Sequence, residues 1–379
     1  MRIALFSETF PPQRTGVAVV LERLVRHLAQ QGHEVLLAAP VSWRPRGDVE
    51  LPGEVRLVRV PGVPLPLYPD LTLGIPHYPA VSRAVREFRP DVIHLVTEYT
   101  LGLTGLRLAR RLGVPAVSSF HSNIPGTLPY YGLGWARERC WAYLRWFHSH
   151  ARITFCPSET NRRVLETQGF RNVRVWARGV DTDLFAPRER SETLRRRNGS
   201  GNGLHLLYVG RLAPEKDLPV LFDAYRRLKQ SRLAQDIHLT LVGDGSYSAK
   251  TRSQAPPGVT FTGHLEGTEL SQAYSSADVF VFPSRVETLG NVVLEAFASG
   301  LPVVGIAEGG TLENVVDGVN GVLCAPGDPD ALAAAVARLA GDADLRRQMS
   351  DNARHWAEER TWERAFAPLT TAYRELASH

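Results

Sequence analysis

Apolar residues recur along this chain in two alternating rhythms. Short runs rich in Val, Ile and Leu are separated by longer stretches in which apolar positions return every three or four residues. Arg2–Phe6, Val35–Ala39, Val92–Val96, Pro115–Ser119 and Ile153–Phe155 are runs of the first kind and predict buried strands. Val17–Gln31 is of the second kind and ends at Gly32, which predicts a helix and its stop. The alternation then starts again. Leu204–Val209, Ile237–Val242, Val259–Thr262, Val279–Phe282, Pro302–Gly305 and Gly321–Leu323 predict a second set of strands, with helices at about 217–230, 290–299 and 328–340. Strands alternating with helices predict βαβ units and parallel sheets. Between the sets, residues 187–203 are charged and glycine-rich, as expected of a linker or exposed loop. The expected organisation is α/β, with domains at 1–186 and 204–361. Ligands of open parallel sheets bind beyond the carboxyl ends of the strands, so the expected site is the cleft between two such domains.

A length of 379 residues agrees with two domains rather than one. The net charge of +5 is small, but its make-up is not even. Only Lys216, Lys229 and Lys250 are lysines, against 41 arginines. Residues 1–186 hold 23 Arg against 15 Asp and Glu, a balance of +8, and the remainder is slightly acidic. No basic stripe or known fold signature points to nucleic acid. Cys140, Cys156 and Cys324 are far apart and have no metal-ligand spacing. No apolar run reaches the ~18 residues of a membrane span. Glu8 interrupts the N-terminal apolar run too early for a signal peptide, so the expected location is cytoplasmic.

Several motifs fail on inspection. No Gly-Lys dipeptide occurs, which excludes a Walker A loop. The first βα turn lacks GxGxxG, and Gly243-Asp244-Gly245 has Ser248 where a third glycine would be needed. Asp181-Thr182-Asp183 is a DxD string, but it follows Arg178-Gly179-Val180 in a turn, where capping use outweighs metal binding.

Four segments carry candidate chemistry. In Pro283–Val304 a strand, a loop and a helix follow one another, with Glu287 in the loop and Glu295 inside the helix. Backbone N–H groups of Thr288, Leu289, Gly290 and Asn291 are expected to be free at the helix start, where they suit sugar hydroxyls or an anion. Carboxylates suit vicinal hydroxyls. The structural alternative has Glu287 serving the helix dipole and Glu295 solvated. In Gly210–Asp217, after a predicted strand, Arg211 offers a planar fork and Lys216 a point charge to phosphate oxygens. In Glu8–Val17, Gly16 either admits a phosphate to the backbone or serves the turn. His121 stands just past the strand Pro115–Ser119.

Together these segments resemble the retaining nucleotide-sugar glycosyltransferases of family 4. The E-x7-E motif matches as Glu287 and Glu295, and the phosphate pair as Arg211 and Lys216 within Val209-Gly210-Arg211-Leu212. Gly179-Val180-Asp181, Val242-Gly243-Asp244-Gly245, Phe261-Thr262-Gly263 and the terminal Thr361-Trp362-Glu363 also match. The resemblance implies the GT-B fold, two Rossmann-like parallel-sheet domains facing across a cleft. It places acceptor binding in 1–186, nucleotide-sugar binding in 204–361, and a last helix at about 362–379 back on the first domain. It implies a donor site formed by Gly16, Gly210, Arg211, Lys216, Gly243, Asp244, His264, Leu265, Glu287, Thr288, Leu289, Gly290, Asn291 and Glu295. His121, Arg211, Lys216 and Glu287 are the implied catalytic groups, with neither metal nor cofactor required. Thr15 departs from the family, which usually has a second glycine before Gly16.

Phe120–Pro125, Tyr130–Gly134 and Trp176–Asp181 resemble bacterial lipid glycosyltransferases such as sulfoquinovosyl- and mannosyl-diacylglycerol synthases, with Tyr130, Tyr131 and Trp135 on the acceptor side. The implied reaction moves a hexose from a UDP- or GDP-sugar to an acceptor hydroxyl, with diacylglycerol as the leading acceptor. The stretch 134–148 mixes aromatics with arginines, as a peripheral contact with an anionic membrane would, or else packs Trp141, Leu144 and Phe147 into the core. A soluble acceptor with the same donor chemistry is the alternative, followed by a nucleotide-sugar epimerase and a non-catalytic sugar-nucleotide binder.

Overall fold

The computed structural model describes residues 1–13, 15–41, 49–65, 68–197, 203–231, 236–288 and 290–378. Leu289 of the expected donor site and residues 198–202 of the expected linker lie outside them. The chain forms two compact units. The first comprises Met1–Pro129, Leu133–Ala177 and Glu363–His379, and the second Tyr130–Gly132 and Arg178–Trp362.

The strands of the first unit are β1 (Arg2–Phe6), β2 (Glu34–Pro40), β3 (Val55–Val60), β4 (Gly62–Leu65), β5 (Tyr68–Gly74), β6 (Val92–Leu95), β7 (Ala116–Ser119), β8 (Ile153–Cys156) and β9 (Val173–Val175). Seven of them form one sheet in the order β3-β2-β1-β6-β7-β8-β9, parallel throughout, and β4 and β5 form a separate antiparallel pair. The central strands are buried on both faces, which is why they read as mainly apolar runs, with the buried His94 inside β6. Strand β3 lies at the sheet edge and carries Arg56 and Arg59 among its Val and Leu residues, a pattern too polar to stand out in the sequence.

Helix Gly16–Gln30 starts at Thr15, whose hydroxyl accepts the Ala18 N–H (3.1 Å), and buries Leu21, Leu24, Val25 and Leu28 on one stripe. The residue that departs from the family pattern is therefore the cap of this helix. Helix Arg137–His148 buries Trp141, Leu144 and Phe147, the packing alternative for this segment. The residues just before it, Gly134–Ala136, form a 3₁₀ turn. Helix Trp362–Ala377 buries Phe366, Leu369 and Tyr373 within the first unit. There the Tyr373 hydroxyl meets His94 Nδ1 at 2.5 Å, and the ring of Phe366 lies 6.3 Å from that of Trp176.

The second unit has β10 (Leu204–Val209), β11 (Ile237–Val242), β12 (Val259–Gly263), β13 (Val279–Phe282), β14 (Val303–Ile306) and β15 (Gly321–Cys324). They form one parallel sheet in the order β12-β11-β10-β13-β14-β15. The chain enters this unit ahead of residues 187–203. Val180 N–H already bonds the Arg360 carbonyl at 2.9 Å, and Phe185 packs on Tyr274.

Candidate functional site

Four loops leave the carboxyl ends of the adjacent strands β12, β11, β10 and β13 in the second unit. Backbone hydrogen bonds bind the first three together. Gly210 N–H donates to the Val242 carbonyl (3.0 Å), Gly243 N–H to the Gly263 carbonyl (2.8 Å), and Leu212 N–H to the Asp244 carbonyl (3.0 Å). Gly243 has φ +137°, and a Cβ there would lie 2.0 Å from the Gly210 carbonyl oxygen, so only glycine fits this crossing. The Asp244 carboxylate accepts from Gly245 N–H and the Ser248 hydroxyl, which fixes the loop on which it stands. His264 is exposed, with Nε2 3.5 Å from Glu266, and Leu265 packs against the core.

This frame holds two ion pairs. Lys216 Nζ lies 2.7 Å from Glu287 Oε2, joining the loop after β10 to the loop after β13. Both side chains are largely buried, at 13% and 17% exposure, and the ammonium sits 5.6 Å from the centre of the Phe282 ring. Arg211 pairs with Glu215 at 2.5 Å, and the Glu215 side chain is almost fully buried. Burial lowers the pKa of Arg211 from its ordinary value, partly countered by Glu215 and Glu287. Sequence reasoning assigned Glu215 no role, although it lies between the two cations. Arg211 stands in the loop ahead of the 3₁₀ turn Pro214–Lys216, so the pair depends on how that loop folds and left no local signal in the sequence. The Tyr131 hydroxyl donates to the other oxygen of Glu215 at 3.1 Å, which brings one expected acceptor-side residue to this pair.

The loop before helix Asn291–Ala298 differs from expectation in one respect. Thr288 N–H is not free: it donates to Glu287 Oε1 at 3.2 Å. The carboxylate reaches both this amide and Lys216, so it is oriented from two sides. The Glu287 carbonyl accepts from Gly310 N–H (2.8 Å), which anchors its backbone as well. Gly290, at φ +76°, is the N-cap of the helix and offers no side-chain cap, and Asn291 is its first residue. Glu295 is not a solvated helix residue. Its Oε2 accepts from the Tyr274 hydroxyl (2.9 Å), and burial pushes its pKa up to about 7.

In the first unit, His121 is buried just past β7, with its ring 5.3 Å from that of Trp176. Gly16 is the first residue of its helix. Tyr130 is partly buried, and Trp135 is 70% exposed with Arg139 over its ring. Asp181 caps its own turn, accepting from Asp183 and Leu184 N–H groups. Among the described residues no cluster of three or more His, Cys, Asp or Glu is placed to hold a metal ion. Sequence reasoning also passed over Glu8 and Glu98. The Glu8 carboxylate accepts from the Thr97 and Thr100 hydroxyls and from Leu101 N–H at the start of helix Thr100–Leu112, so it caps that helix.

Residues 14–184 match the family model "Glycosyltransferase Family 4", and residues 190–356 match "Glycosyl transferases group 1". A GDP-mannose-dependent alpha-mannosyltransferase of Mycolicibacterium smegmatis is 39% identical over 96% of this chain and 94% of its own length. The chain is a family 4 glycosyltransferase. Its fold is GT-B, and it is an enzyme that takes its sugar from a nucleotide-sugar donor. The sulfoquinovosyl transferase SQD2 of Arabidopsis thaliana is 34% identical over 96% of this glycosyltransferase and 71% of its own length. Among solved structures, sucrose-phosphate synthase of Thermosynechococcus elongatus matches with a TM-score of 0.81 at 22% identity, covering 100% of this chain and 99% of that one, a likeness of fold.

Proposed function

We propose that this glycosyltransferase moves mannose from GDP-mannose to a hydroxyl of a membrane lipid such as diacylglycerol, with retention and without a metal. The observation that carries the reading is the Lys216–Glu287 pair. It joins residues 71 positions apart at the carboxyl ends of two strands, within a frame that also holds the Arg211–Glu215 pair. Mannose and guanosine are chosen because the 39% identical relative bears that donor in its name. A lipid acceptor is chosen on the acceptor-side segments named above.

In this reading Arg211 and Lys216 neutralise the charge that develops on the leaving diphosphate, an electrostatic contribution that is usually the largest in such sites. Glu295 accepts from the ribose hydroxyls and Glu287 from the sugar hydroxyls. The bond from the anomeric carbon to the phosphate oxygen breaks. The acceptor oxygen bonds the same carbon from the same face, and its proton passes to the departing phosphate oxygen. The anomeric configuration is retained and no protein nucleophile is needed. His121 hydrogen-bonds the donor sugar. Trp135, Arg137 and Arg139 are exposed at the start of helix Arg137–His148 and suit a peripheral contact with an anionic bilayer. No helix among the described residues is long and apolar enough to cross a membrane.

The test is a turnover screen of GDP-mannose and UDP-glucose, each with diacylglycerol and with soluble sugars, with and without a chelator. An α-mannosyl lipid formed in the presence of chelator is the expected product. A β-linked product, chelator-sensitive turnover or transfer only to soluble sugars would each overturn its part of the proposal.

A further inference from the structure

The first unit contains a cavity of about 470 Å³ at the end of the sheet opposite to His121. Its walls come from the last turn of helix Arg137–His148 and from the residues that lead into the amino ends of β8 and β9. His121 and Gly16, by contrast, follow the carboxyl ends of their strands. The cavity therefore shares no loop with the residues assigned to the transfer chemistry.

Its lining contains Arg145 and Arg171 and not one Asp or Glu. Among the described residues neither arginine has a carboxylate partner, whereas the nearby Arg162 and Arg174 are both paired. The polar contact of Arg145 is a long one, 3.5 Å to Gln168 Oε1, which leaves most of the five N–H donors of its guanidinium available. Ser149, Thr154 and Asn172 add neutral polar groups to the same wall. His148, one turn from Arg145, is buried in it, with Nδ1 2.8 Å from the Ser118 hydroxyl and Nε2 without a partner. Burial lowers its pKa to about 3, so the imidazole is neutral and the positive charge of the cavity comes from the two arginines.

Two unpaired guanidinium forks beside neutral polar groups, with no competing carboxylate, match a tetrahedral oxyanion, which accepts several hydrogen bonds at once. We propose that this cavity is a binding site for a phosphate-class anion, separate from the donor site and anchored by Arg145 and Arg171. Two sources share that chemistry: free phosphate, including soluble phosphate esters, and the headgroup of an anionic phospholipid. The indole of Trp146, 48% exposed at the cavity wall, is compatible with either.

The experiment uses the full chain carrying Lys216→Ala, so that anion binding at the donor site is weakened. Inorganic phosphate is titrated calorimetrically against chloride at equal ionic strength. In parallel the protein is sedimented with phosphatidylglycerol and with phosphatidylcholine vesicles. Both arms are repeated with R145Q/R171Q added. The expected result is binding in at least one arm, weakened about tenfold or more by the double substitution, as loss of charge-assisted contacts predicts. Phosphate binding identifies the free anion as a source, and binding confined to phosphatidylglycerol vesicles identifies the headgroup. No binding in either arm, or binding that R145Q/R171Q leaves unchanged, overturns the proposal. Turnover of R145Q/R171Q with Lys216 intact should match the parent enzyme. If the double variant fails to fold, the exposed Arg171→Gln alone carries the comparison.

Discussion

At the scale of single residues, the proposed donor-side chemistry rests on charges that are held in place by one another. Lys216 and Glu287 neutralise one another in a largely buried setting. Removing either one leaves the other uncompensated and misplaces a group assigned to the transition state. Lys216→Ala and Glu287→Gln should therefore each lower kcat at least ~100-fold, about 3 kcal/mol of barrier. Steady-state kinetics with saturating donor check this, and near-normal turnover in either variant sinks that residue's role. Glu295 permits a pH test. Its pKa of about 7, raised by burial, means that the ionised form dominates only above neutrality. A carboxylate that accepts from two ribose hydroxyls is needed in that form, so nucleotide affinity should weaken as pH falls from 8 to 6. Glu295→Gln should bind about tenfold more weakly at pH 8 and lose this part of the pH dependence, as read by calorimetry. The motif residues were visible in the sequence because each sits in a distinctive local string. Glu215 and Tyr274 were not, because their roles arise from partners that only the fold brings close: the Tyr131 hydroxyl for the first and the Glu295 carboxylate for the second.

At the scale of elements, the apolar rhythm located the buried strands closely. β1, β10, β11 and β13 have the bounds that the sequence predicted, because strands buried on both faces must be apolar at most positions, and the buried His205 and Thr240 bond one another across β10 and β11. Edge strands escape that requirement, and β3 and the three-residue β9 were missed for this reason. Helix Ala343–Glu358 was also missed. It buries only Met349, Ala353 and Ala357 among a largely polar sequence, too thin a stripe to read. Of the free amides expected at the helix after β13, that of Thr288 is engaged, for a different cause. Glu287 precedes the helix closely enough to accept from Thr288 N–H, and sequence spacing alone does not tell whether a carboxylate turns back. The loops that carry the cations depend on one backbone crossing. A methyl group on Gly243 would press into the Gly210 carbonyl, with the backbone already at φ +137°. Gly243→Ala should cost about 3 kcal/mol or more, combining left-handed strain with a backbone clash. Urea denaturation measures the cost. A loss below about 1 kcal/mol would mean that the crossing relaxes easily.

At the scale of the whole chain, charge and titration divide along its length. The arginine excess lies in residues 1–186, the part that supplies most of the first unit, and that unit also holds several buried ionisable groups with opposed pH demands. His94 and His148 are buried neutral, each lowered from 6.5 to about 3 by desolvation. Between those values the unfolded chain binds protons that the folded one refuses, so these two histidines make stability fall as pH drops below 6.5. Glu98 acts in the other direction. Desolvation raises it from 4.5 to about 8, so the folded form keeps a proton that the unfolded form has already released. Stability then falls as pH rises through that interval, and the raised pKa of Glu8 adds to the effect. Between 4.5 and 6.5 the two demands oppose each other. Of these four groups, the two carboxyls act above 6.5 and the two histidines below 4.5. Thermal unfolding of the first unit should therefore be most resistant between about pH 4.5 and 6.5 and decline on both sides, a position lower than the usual optimum. Glu98→Gln should flatten the decline above 6.5 and leave the acid side unchanged. Calorimetric scans of the wild type and this variant from pH 4 to 8.5 decide the matter. A melting temperature that climbs steadily to pH 8 in both proteins would show that Glu98 ionises freely in the folded state.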